Sequence, residues 1–320
     1  MAAGRIAYRC FGAEETAALL SYPELIVQLQ RAWLEVADGK IQCPTRMVTP
    51  LADAGVLLSM PAVGADLASH KLVAVVPNNR RLGREVVTGT LSVLEVATGE
   101  CLAILDGATV TGWRTAAMSL LGIRMLAADR VHHALIIGTG IQALYHVQAI
   151  AALHPEARIA IRGRSIEAAA DFCASRQNMH GSLEPAAAQD DWDVVVACTT
   201  SAVPVYLDAA QIGRLVIAVG AFSADAAEIA PDTVRASELW VDNLAGAQHE
   251  AGDLIQADVA WDSVRSIADA LRAPAEFVVP AIGMQARAQR PRLFKTVGCA
   301  AWDLACARVA VAHLGRSAPA

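Results

Sequence analysis

The sequence contains no C-x-x-C pair, no apolar run long enough to span a bilayer, and no excess of basic residues. Its seven cysteines are an odd number, and several of them lie in apolar runs. A disulfide framework or a zinc site is therefore disfavoured, and we expect reduced thiols in a cytoplasmic protein. Because the first residues lack an apolar segment, we expect neither a signal peptide nor a membrane segment.

The charge balance argues against a nucleic-acid-binding protein. The formal net charge is −6, whereas such proteins present a basic face. Hydrophobic residues make up 55% of the 320 residues and charged residues 18%, which favours one large or two medium folded domains. The eight histidines are scattered, and the adjacent pair His132 and His133 would point apart on a strand or helix. We therefore expect no metal centre.

The first hundred residues predict a helix and a mainly antiparallel sheet. Apolar residues recur at helical spacing over residues 14–38. Four strand-like runs follow, with a hairpin turn at Thr98-Gly99. The four runs are VLLSM (56–60), KLVAVV (71–76), GTLSVLEV (89–96) and CLAIL (101–105).

The stretch LDGATVTGWRTAA predicts a strand end, a turn and a helix that opens near Thr111. Arg114 would lie about one turn into this helix, where the free N–H groups already carry partial positive charge. A cation is unfavourable there unless the site receives an anion. We therefore expect the helix end and the Arg114 guanidinium to act together on one bound anion.

The pattern of predicted elements changes from residue 131 onward, where short apolar strands alternate with helices. This alternation indicates a parallel sheet covered on both faces. The predicted fold class is α/β: a Rossmann-type parallel-sheet domain over residues 119–298, and an α+β domain over residues 1–118. A last helix around 299–313 follows the loop RPRLFKTVG, and residues 299–320 are expected to complete the first domain.

A glycine motif directly follows the first of these strands and opens a helix. Its residues are Gly138-Thr139-Gly140-Ile141-Gln142-Ala143, which is G-x-G-x-x-A. The glycines permit a tight turn and close approach of a pyrophosphate, and the helix N-terminus then faces the phosphates. This context predicts a dinucleotide site, and the alternative is a tight strand–helix turn without a ligand.

The end of the second strand bears on the choice of cofactor. An NAD site usually places a carboxylate there for the ribose hydroxyls, but this sequence has Arg162 and Arg164. Two arginines suit a 2′-phosphate, so NADP(H) is favoured over NAD(H) unless both are simply solvated. Thr199 and Ser201, at the end of the next strand, either line the cofactor or cap a helix after Pro204.

Five segments, in this order, resemble the ornithine cyclodeaminase/μ-crystallin family. They are DGATVTGWRTAA, IIGTGIQA, CTTSAVPV, VGAFSADAAEI and FKTVGCAAWDLACA. The resemblance runs from about residue 40 to 308. It implies a homodimer whose first domain binds substrate and forms the dimer, with a Rossmann domain as the second. The family's members include ornithine cyclodeaminases, ketimine and pyrroline-2-carboxylate reductases, alanine dehydrogenases and a lens crystallin.

The resemblance also implies roles for particular residues. CPTRM and WRTAA are similar to the segments that supply carboxylate-binding arginines, here Arg46 and Arg114, and HKLVAVVP to the one that supplies an active-site lysine, here Lys71. The implied cofactor residues are Gly138, Thr139, Gly140, Ile141, Gln142, Arg162, Arg164, Thr199 and Ser201. Phe222 stands where the cyclodeaminases have an acid–base aspartate, and Asp225 lies three residues later.

Together these features predict a reductase of a small imine carboxylate of the Δ1-pyrroline-2-carboxylate or ketimine type, using NADP(H) or alternatively NAD(H). The arginines would hold the carboxylate and Lys71 would handle the proton. Other readings are an ornithine cyclodeaminase or alanine-type dehydrogenase using NAD, and a non-catalytic NADP(H)-binding protein of crystallin type. The expected partners are a small amino-acid-derived substrate and a second copy of the chain.

Overall fold

The computed structural model describes residues 8–52, 54–127, 130–187, 191–272 and 290–314. The chain divides into two compact units, each described here by itself. Unit 1 runs up to Arg114 and resumes at Cys299, and unit 2 runs from Thr115 to Gly298. The predicted boundary at residue 118 stays a prediction.

Unit 1 begins with two helices, α1 (Ala13–Ala18) and α2 (Tyr22–Ala37), where the sequence predicted one. Pro23 lies in the first turn of α2, where its missing N–H costs nothing, and this favours a new helix start. In α2, Leu25, Leu29 and Trp33 point to one face and are buried.

Five antiparallel strands follow in sequential order, which confirms the predicted antiparallel sheet; four of them were predicted from apolar runs and β1 was not. They are β1 (Met47–Pro50), β2 (Val56–Val63), β3 (Leu67–Val75), β4 (Val87–Glu95) and β5 (Cys101–Asp106), with a 3-10 helix at Pro77–Leu82. Lys71 in β3 stands opposite Met60 in β2 and Leu91 in β4. All three side chains lie on the buried face of the sheet.

Helix α3 spans Gly107–Leu126 and therefore begins in unit 1 and ends in unit 2. Its predicted start near Thr111 is wrong by about one turn. Asp106, the last residue of β5, accepts a hydrogen bond from the Thr109 N–H at 2.7 Å, so the helix begins directly after the strand.

Unit 2 is a parallel sheet of eight strands with helices in the connections. The strands are β6 (His133–Ile137), β7 (Arg158–Arg162), β8 (Leu183–Pro185), β9 (Val194–Ala197), β10 (Leu215–Ala218), β11 (Glu238–Val241), β12 (Arg265–Ser266) and β13 (Arg292–Lys295). The helices are α4 (Ile141–Leu153), α5 (Ile166–Ala174), α6 (Pro231–Ala236), α7 (Leu244–Glu250), α8 (Gly252–Gln256) and α9 (Ile267–Arg272), with a 3-10 helix at Trp261–Ser263.

The strand order is β12-β11-β13-β10-β9-β6-β7-β8. Because β7 and β9 lie on opposite sides of β6, the strand order reverses at β6 and β9, and open sheets of this type bind ligands at the carboxyl ends of such strands. The segment RPRLFKTVG, predicted to be a loop, contains β13, which pairs with both β10 and β11. The basic residues of this segment interrupt its apolar pattern, so the strand was not predicted. Leu293 and Phe294 in this strand are buried.

The last helix, α10 (Ala300–Leu314), packs against α2, β2 and β3 within unit 1. Trp302 contacts Trp33 edge-on, with ring centroids 5.1 Å apart. Arg308 forms ion pairs of 2.7 Å with both Glu35 and Asp66, which fix the helix against α2 and the β2–β3 turn. No helix among the described residues is long and apolar enough to cross a membrane.

Candidate active site

A buried ion pair lies on the covered face of the sheet of unit 1. The Lys71 Nζ is 2.8 Å from Oδ1 of Asp303, and both side chains are almost completely buried, at 1% and 0% exposure. Lys71 comes from β3 and Asp303 from the first turn of α10, so the packing of the last helix on the sheet creates the pair. Burying two charges is costly unless they are paired, which makes this pair a candidate for function.

Asp303 was not predicted from the sequence. It is the single acidic residue of AAWDLACARVAVAHL, and an isolated carboxylate in an apolar helix is the signal that identifies it. Its Oδ1 also lies 3.6 Å from the Arg114 Nε. Among the described residues, its buried Oδ2 has no hydrogen-bond partner. An acceptor atom therefore remains available in the site.

The surroundings of Lys71 lower its pKa toward neutral pH, where the ammonium group can exchange its proton. Burial lowers the pKa of Lys71 to about 8; Arg114 and Arg46 act in the same direction, and the charge of Asp303 opposes them. The neighbouring thiol behaves differently, since burial and Asp303 both raise the pKa of Cys306. Cys306 therefore remains a neutral thiol, whereas Lys71 exchanges its proton.

The structure brings the three predicted substrate residues Arg46, Lys71 and Arg114 together in unit 1. Arg46 lies in the segment before β1 and is partly exposed, while Arg114 is 8% exposed. Together with Asp303 these residues carry an excess of positive charge, which suits an anionic ligand. The roles of the three residues stay predictions.

Arg114 lies deeper in its helix than the sequence predicted. Since α3 begins at Gly107, Arg114 lies about two turns into the helix rather than one. The field of a helix end fades within its first turn, so the N-terminus of α3 does not assist this arginine. The charge of Asp303 takes that place, because it compensates the buried guanidinium.

The glycine motif of unit 2 has the geometry of a dinucleotide loop. Gly138 has a φ of +134°, and a side chain there would lie 3.0 Å from the Cys198 carbonyl oxygen. Gly140 precedes α4, and a side chain on it would meet no atom within 4 Å, so the space beside it is open. A pyrophosphate fits here, because it needs open space beside a helix N-terminus and close approach to the backbone.

Arg162, the last residue of β7, and Arg164 in the following turn come next to this loop along the sheet edge. The Arg162 carbonyl accepts a hydrogen bond from the Gly138 N–H at 2.9 Å. A side chain at Gly163 would lie 3.2 Å from the Thr139 methyl group, which shows how closely the two turns approach. Arg162 is partly exposed and Arg164 is exposed.

Thr199 and Ser201 follow β9 at the carboxyl edge of the sheet. The Thr199 N–H and hydroxyl donate to Oε1 of Glu228 at 2.5 and 2.9 Å. The Ser201 hydroxyl donates to the Val203 carbonyl at 2.7 Å. The suggestion that these residues cap a helix after Pro204 is wrong, because Tyr206 instead forms a β-bridge with Ile229.

A second buried carboxylate, Glu228, joins the ends of neighbouring strands. Its Oε2 accepts the Gly220 N–H at 2.5 Å, so Glu228 bridges the loops after β9 and β10. Asp253 accepts the Glu228 N–H at 2.6 Å and pairs with Lys295 at 2.8 Å, which connects the end of β13. Burial raises the pKa of Glu228. The chain Thr199–Glu228–Asp253–Lys295 connects the carboxyl ends of β9, β10 and β13.

Phe222 and Asp225 both lie exposed in the loop after β10. Phe222 is 44% exposed. The Asp225 carboxylate is hydrogen-bonded to Ser223, which lowers its pKa. Glu228, eight residues after Gly220, is the carboxylate of this segment that the fold buries. Phe222 has no ionisable group and Asp225 is exposed on the surface, so neither of them provides a buried acid–base group.

Residues 11–313 match the sequence profile described as the Ornithine cyclodeaminase/mu-crystallin family. The chain belongs to this family. The resemblance inferred from the five segments is therefore confirmed, and so is the α/β fold class with its separate antiparallel sheet.

Several relatives in this family are reductases. The chain is 51% identical, over 94% of both proteins, to Δ1-pyrroline-2-carboxylate reductase 2 of Burkholderia ambifaria. It is 50% identical, with the same coverage, to the Δ1-pyrroline-2-carboxylate/Δ1-piperideine-2-carboxylate reductase of Azospirillum brasilense. The structure of Thermococcus litoralis Δ1-pyrroline-2-carboxylate reductase with NADH and L-proline superposes with a TM-score of 0.85 at 25% identity, covering 96% of this chain and 98% of that one. The predicted imine-carboxylate reductase agrees with these names.

Proposed function

We propose that the protein is an NAD(P)H-dependent reductase of small cyclic imine carboxylates, of the Δ1-pyrroline-2-carboxylate or Δ1-piperideine-2-carboxylate type. The observation that carries this proposal is the buried Lys71–Asp303 pair beside Arg114, in a chain half identical to reductases of these substrates. Such a site offers cations for a carboxylate and a proton donor for a nitrogen.

The arginines bind and orient the substrate. A guanidinium group presents a planar fork of donors that matches a carboxylate, and Arg114 is held nearly buried by Asp303. Arg46 approaches from the segment before β1 and adds a second cation. Fixing the carboxylate orients the adjacent C=N bond, which lowers the entropic cost of the reaction.

Lys71 supplies the proton that the imine nitrogen takes up. Its lowered pKa of about 8 leaves it mostly protonated at neutral pH while making it a better acid than an ordinary lysine. Asp303 keeps the ammonium charged and holds it in place at 2.8 Å. The reduced nicotinamide, when bound, supplies a hydride to the imine carbon.

Unit 2 would hold the cofactor. Gly138, Thr139, Gly140, Ile141 and Gln142 would surround the pyrophosphate, and Thr199 and Ser201 would lie at the nicotinamide end. Arg162 and Arg164 lie beside the glycine loop where a 2′-phosphate would extend, so we favour NADP(H) over NAD(H). The absence of a carboxylate at the end of β7 supports this preference.

We further propose a homodimer formed through the sheet of unit 1. Among the residues that the structure describes, one face of this sheet packs on α2 and α10 and the other does not. On the opposite face, Met47, Val63 and Leu72 are 63%, 42% and 39% exposed. Antiparallel sheets tolerate water on one face, but an apolar patch of this kind favours a partner surface.

Product analysis separates the reductase from the alternatives. Purified protein would be incubated with NADPH and Δ1-pyrroline-2-carboxylate, and in parallel with NAD and ornithine. We expect proline and oxidised cofactor from the first mixture and no ammonia from the second. Ammonia and proline in the ornithine mixture, with no reaction in the imine mixture, would favour cyclodeamination. Tight NADPH binding without turnover in either mixture would favour a crystallin-type binding protein.

A further inference from the structure

Two cysteine thiols meet beside the candidate active site in unit 1. Cys43 lies three residues before Arg46, and Cys299 directly precedes α10. The Cys299 thiol is hydrogen-bonded to the Cys43 sulfur, which also receives a hydrogen bond from the backbone N–H of Ala301. Both thiols are partly exposed and neither is in a disulfide. The structure thus presents a solvent-accessible pair of adjacent thiols.

The surroundings of Cys43 favour its thiolate. The hydrogen bond from Cys299 lowers the pKa of Cys43 to about 7; burial raises it, and the N–H of Ala301 lowers it again. Ala301 belongs to the first turn of a 15-residue helix, whose free N–H groups stabilise a negative charge. By contrast, burial raises the pKa values of Cys198 and Cys306, which remain unreactive thiols.

We propose that Cys43 and Cys299 are a modification site at which a hydroperoxide forms a reversible disulfide that weakens substrate binding. The Cys43 thiolate attacks a peroxide oxygen, the O–O bond breaks, and water or an alcohol leaves, giving a sulfenic acid. The Cys299 sulfur then attacks Cys43, the S–O bond breaks and water leaves. The two thiols are oxidised and the hydroperoxide is reduced, and a dithiol reverses the change.

The disulfide would act on the site through the chain that follows Cys43. A disulfide holds its sulfurs about 2.0 Å apart, closer than two hydrogen-bonded thiols. Two backbone hydrogen bonds of 2.9 Å fix Gln42 to Val63, so the change falls on residues 43–46 and on the start of α10. These segments carry Arg46 and Asp303. The effect on catalysis rests on the proposed function, whereas formation of the disulfide does not.

The test exposes the full-length protein to hydrogen peroxide and maps non-reduced peptides by mass spectrometry. Kinetics with Δ1-pyrroline-2-carboxylate and NADPH would be measured before oxidation, after it, and after treatment with dithiothreitol. We expect a Cys43–Cys299 peptide, a rise in KM for the imine acid on the order of tenfold, and recovery with dithiothreitol. The C43S variant should keep its basal activity and resist peroxide. The control C10S removes an exposed cysteine elsewhere in unit 1 and should be as sensitive to peroxide as the wild type.

Two results would overturn the inference: an active reductase that forms no Cys43–Cys299 peptide, or equal peroxide sensitivity of C43S and the wild type. A cross-linked peptide in a protein that never turns over the imine acid would instead support the disulfide and contradict the proposed function. The peptide map and the rate therefore report the two proposals separately.

Discussion

At the scale of single residues, a buried carboxylate determines how the candidate lysine behaves. Burial alone drives Lys71 toward its neutral form, and the arginines that suit a substrate carboxylate act in the same direction. Asp303 is the charge that opposes them. Its unsatisfied Oδ2 also leaves an acceptor for a substrate N–H. Asp303 is therefore a positioning residue for Lys71 in the proposed reaction.

Removing that charge should shift the pH profile. In the wild type, kcat/KM for the imine acid should fall as pH rises through about 8, because Lys71 then loses the proton it donates. Asp303 raises the pKa of Lys71, so D303N should move this falling limb to lower pH, by about one unit. Breaking a buried pair should also lower the free energy of unfolding by about 3 kcal/mol. A purely structural role would lower stability and leave the limb in place.

Arg114 should contribute mainly to substrate binding. R114A should raise KM for the imine acid about 100-fold, because it removes charge-assisted hydrogen bonds to the carboxylate. R114K should recover only part of the loss, since an ammonium lacks the planar fork. The matched control is R124A, which removes an exposed arginine of the same helix and should leave KM unchanged. An unchanged KM in R114A would remove Arg114 from the site.

The sequence located some of these residues and missed others for physical reasons. Arg46 and Lys71 were found because their segments resemble a family, whereas Arg114 was singled out first by its predicted place near a helix start and then by the same resemblance. Asp303 is 232 positions from Lys71 in the chain, and no local pattern signals such a pair. The sequence showed Phe222 in place of an acid–base aspartate, but it did not predict that Glu228 is the buried carboxylate of that segment.

At the scale of elements, the ends of strands decide where ligands can bind. Local patterns predicted α4 and the strands around it well, because apolar strand, glycine turn and helix follow one another directly. They failed at β13, where Arg292 and Lys295 flank the buried Leu293 and Phe294. The charge of the buried Lys295 is compensated by Asp253, a pairing that the sequence does not reveal.

The end of β7 and the turn after it should determine cofactor preference. The double variant R162A/R164A should raise KM for NADPH about 10- to 100-fold, because it removes charge-assisted contacts to the 2′-phosphate. KM for NADH should change by no more than about twofold. The control R235A removes another exposed arginine of unit 2, one paired with Asp232, and should affect neither cofactor. Equal losses for both cofactors would contradict the NADP(H) preference.

At the scale of the whole molecule, each unit contributes a different part of the proposed reaction. Unit 1 places three cationic side chains near a buried carboxylate. Unit 2 contains the glycine loop and the strand ends that buried carboxylates join. The fold class was predicted from the change near residue 131, where alternating apolar strands and helices begin. The return of α10 to unit 1, which creates the Lys71–Asp303 pair, depends on packing between distant segments.

The open face of the unit 1 sheet should form the dimer contact. In sedimentation experiments the wild type should have twice the chain mass of 33.6 kDa. L72E places a charge on that face and should shift the equilibrium toward monomer, since an unpaired charge is costly to bury. The control I212E places the same charge on an exposed apolar residue of unit 2 and should leave the mass unchanged. A wild type of single-chain mass would contradict the dimer.

The most direct measurement is NADPH oxidation with Δ1-pyrroline-2-carboxylate by the wild type and K71A side by side, with cofactor binding and unfolding temperature recorded for both. The wild type should form proline, and K71A should lose at least about 100-fold in kcat/KM while still binding NADPH, because it lacks the proton donor. A folded, cofactor-binding wild type without turnover, or a K71A variant as fast as the wild type, would contradict an imine reductase built on Lys71.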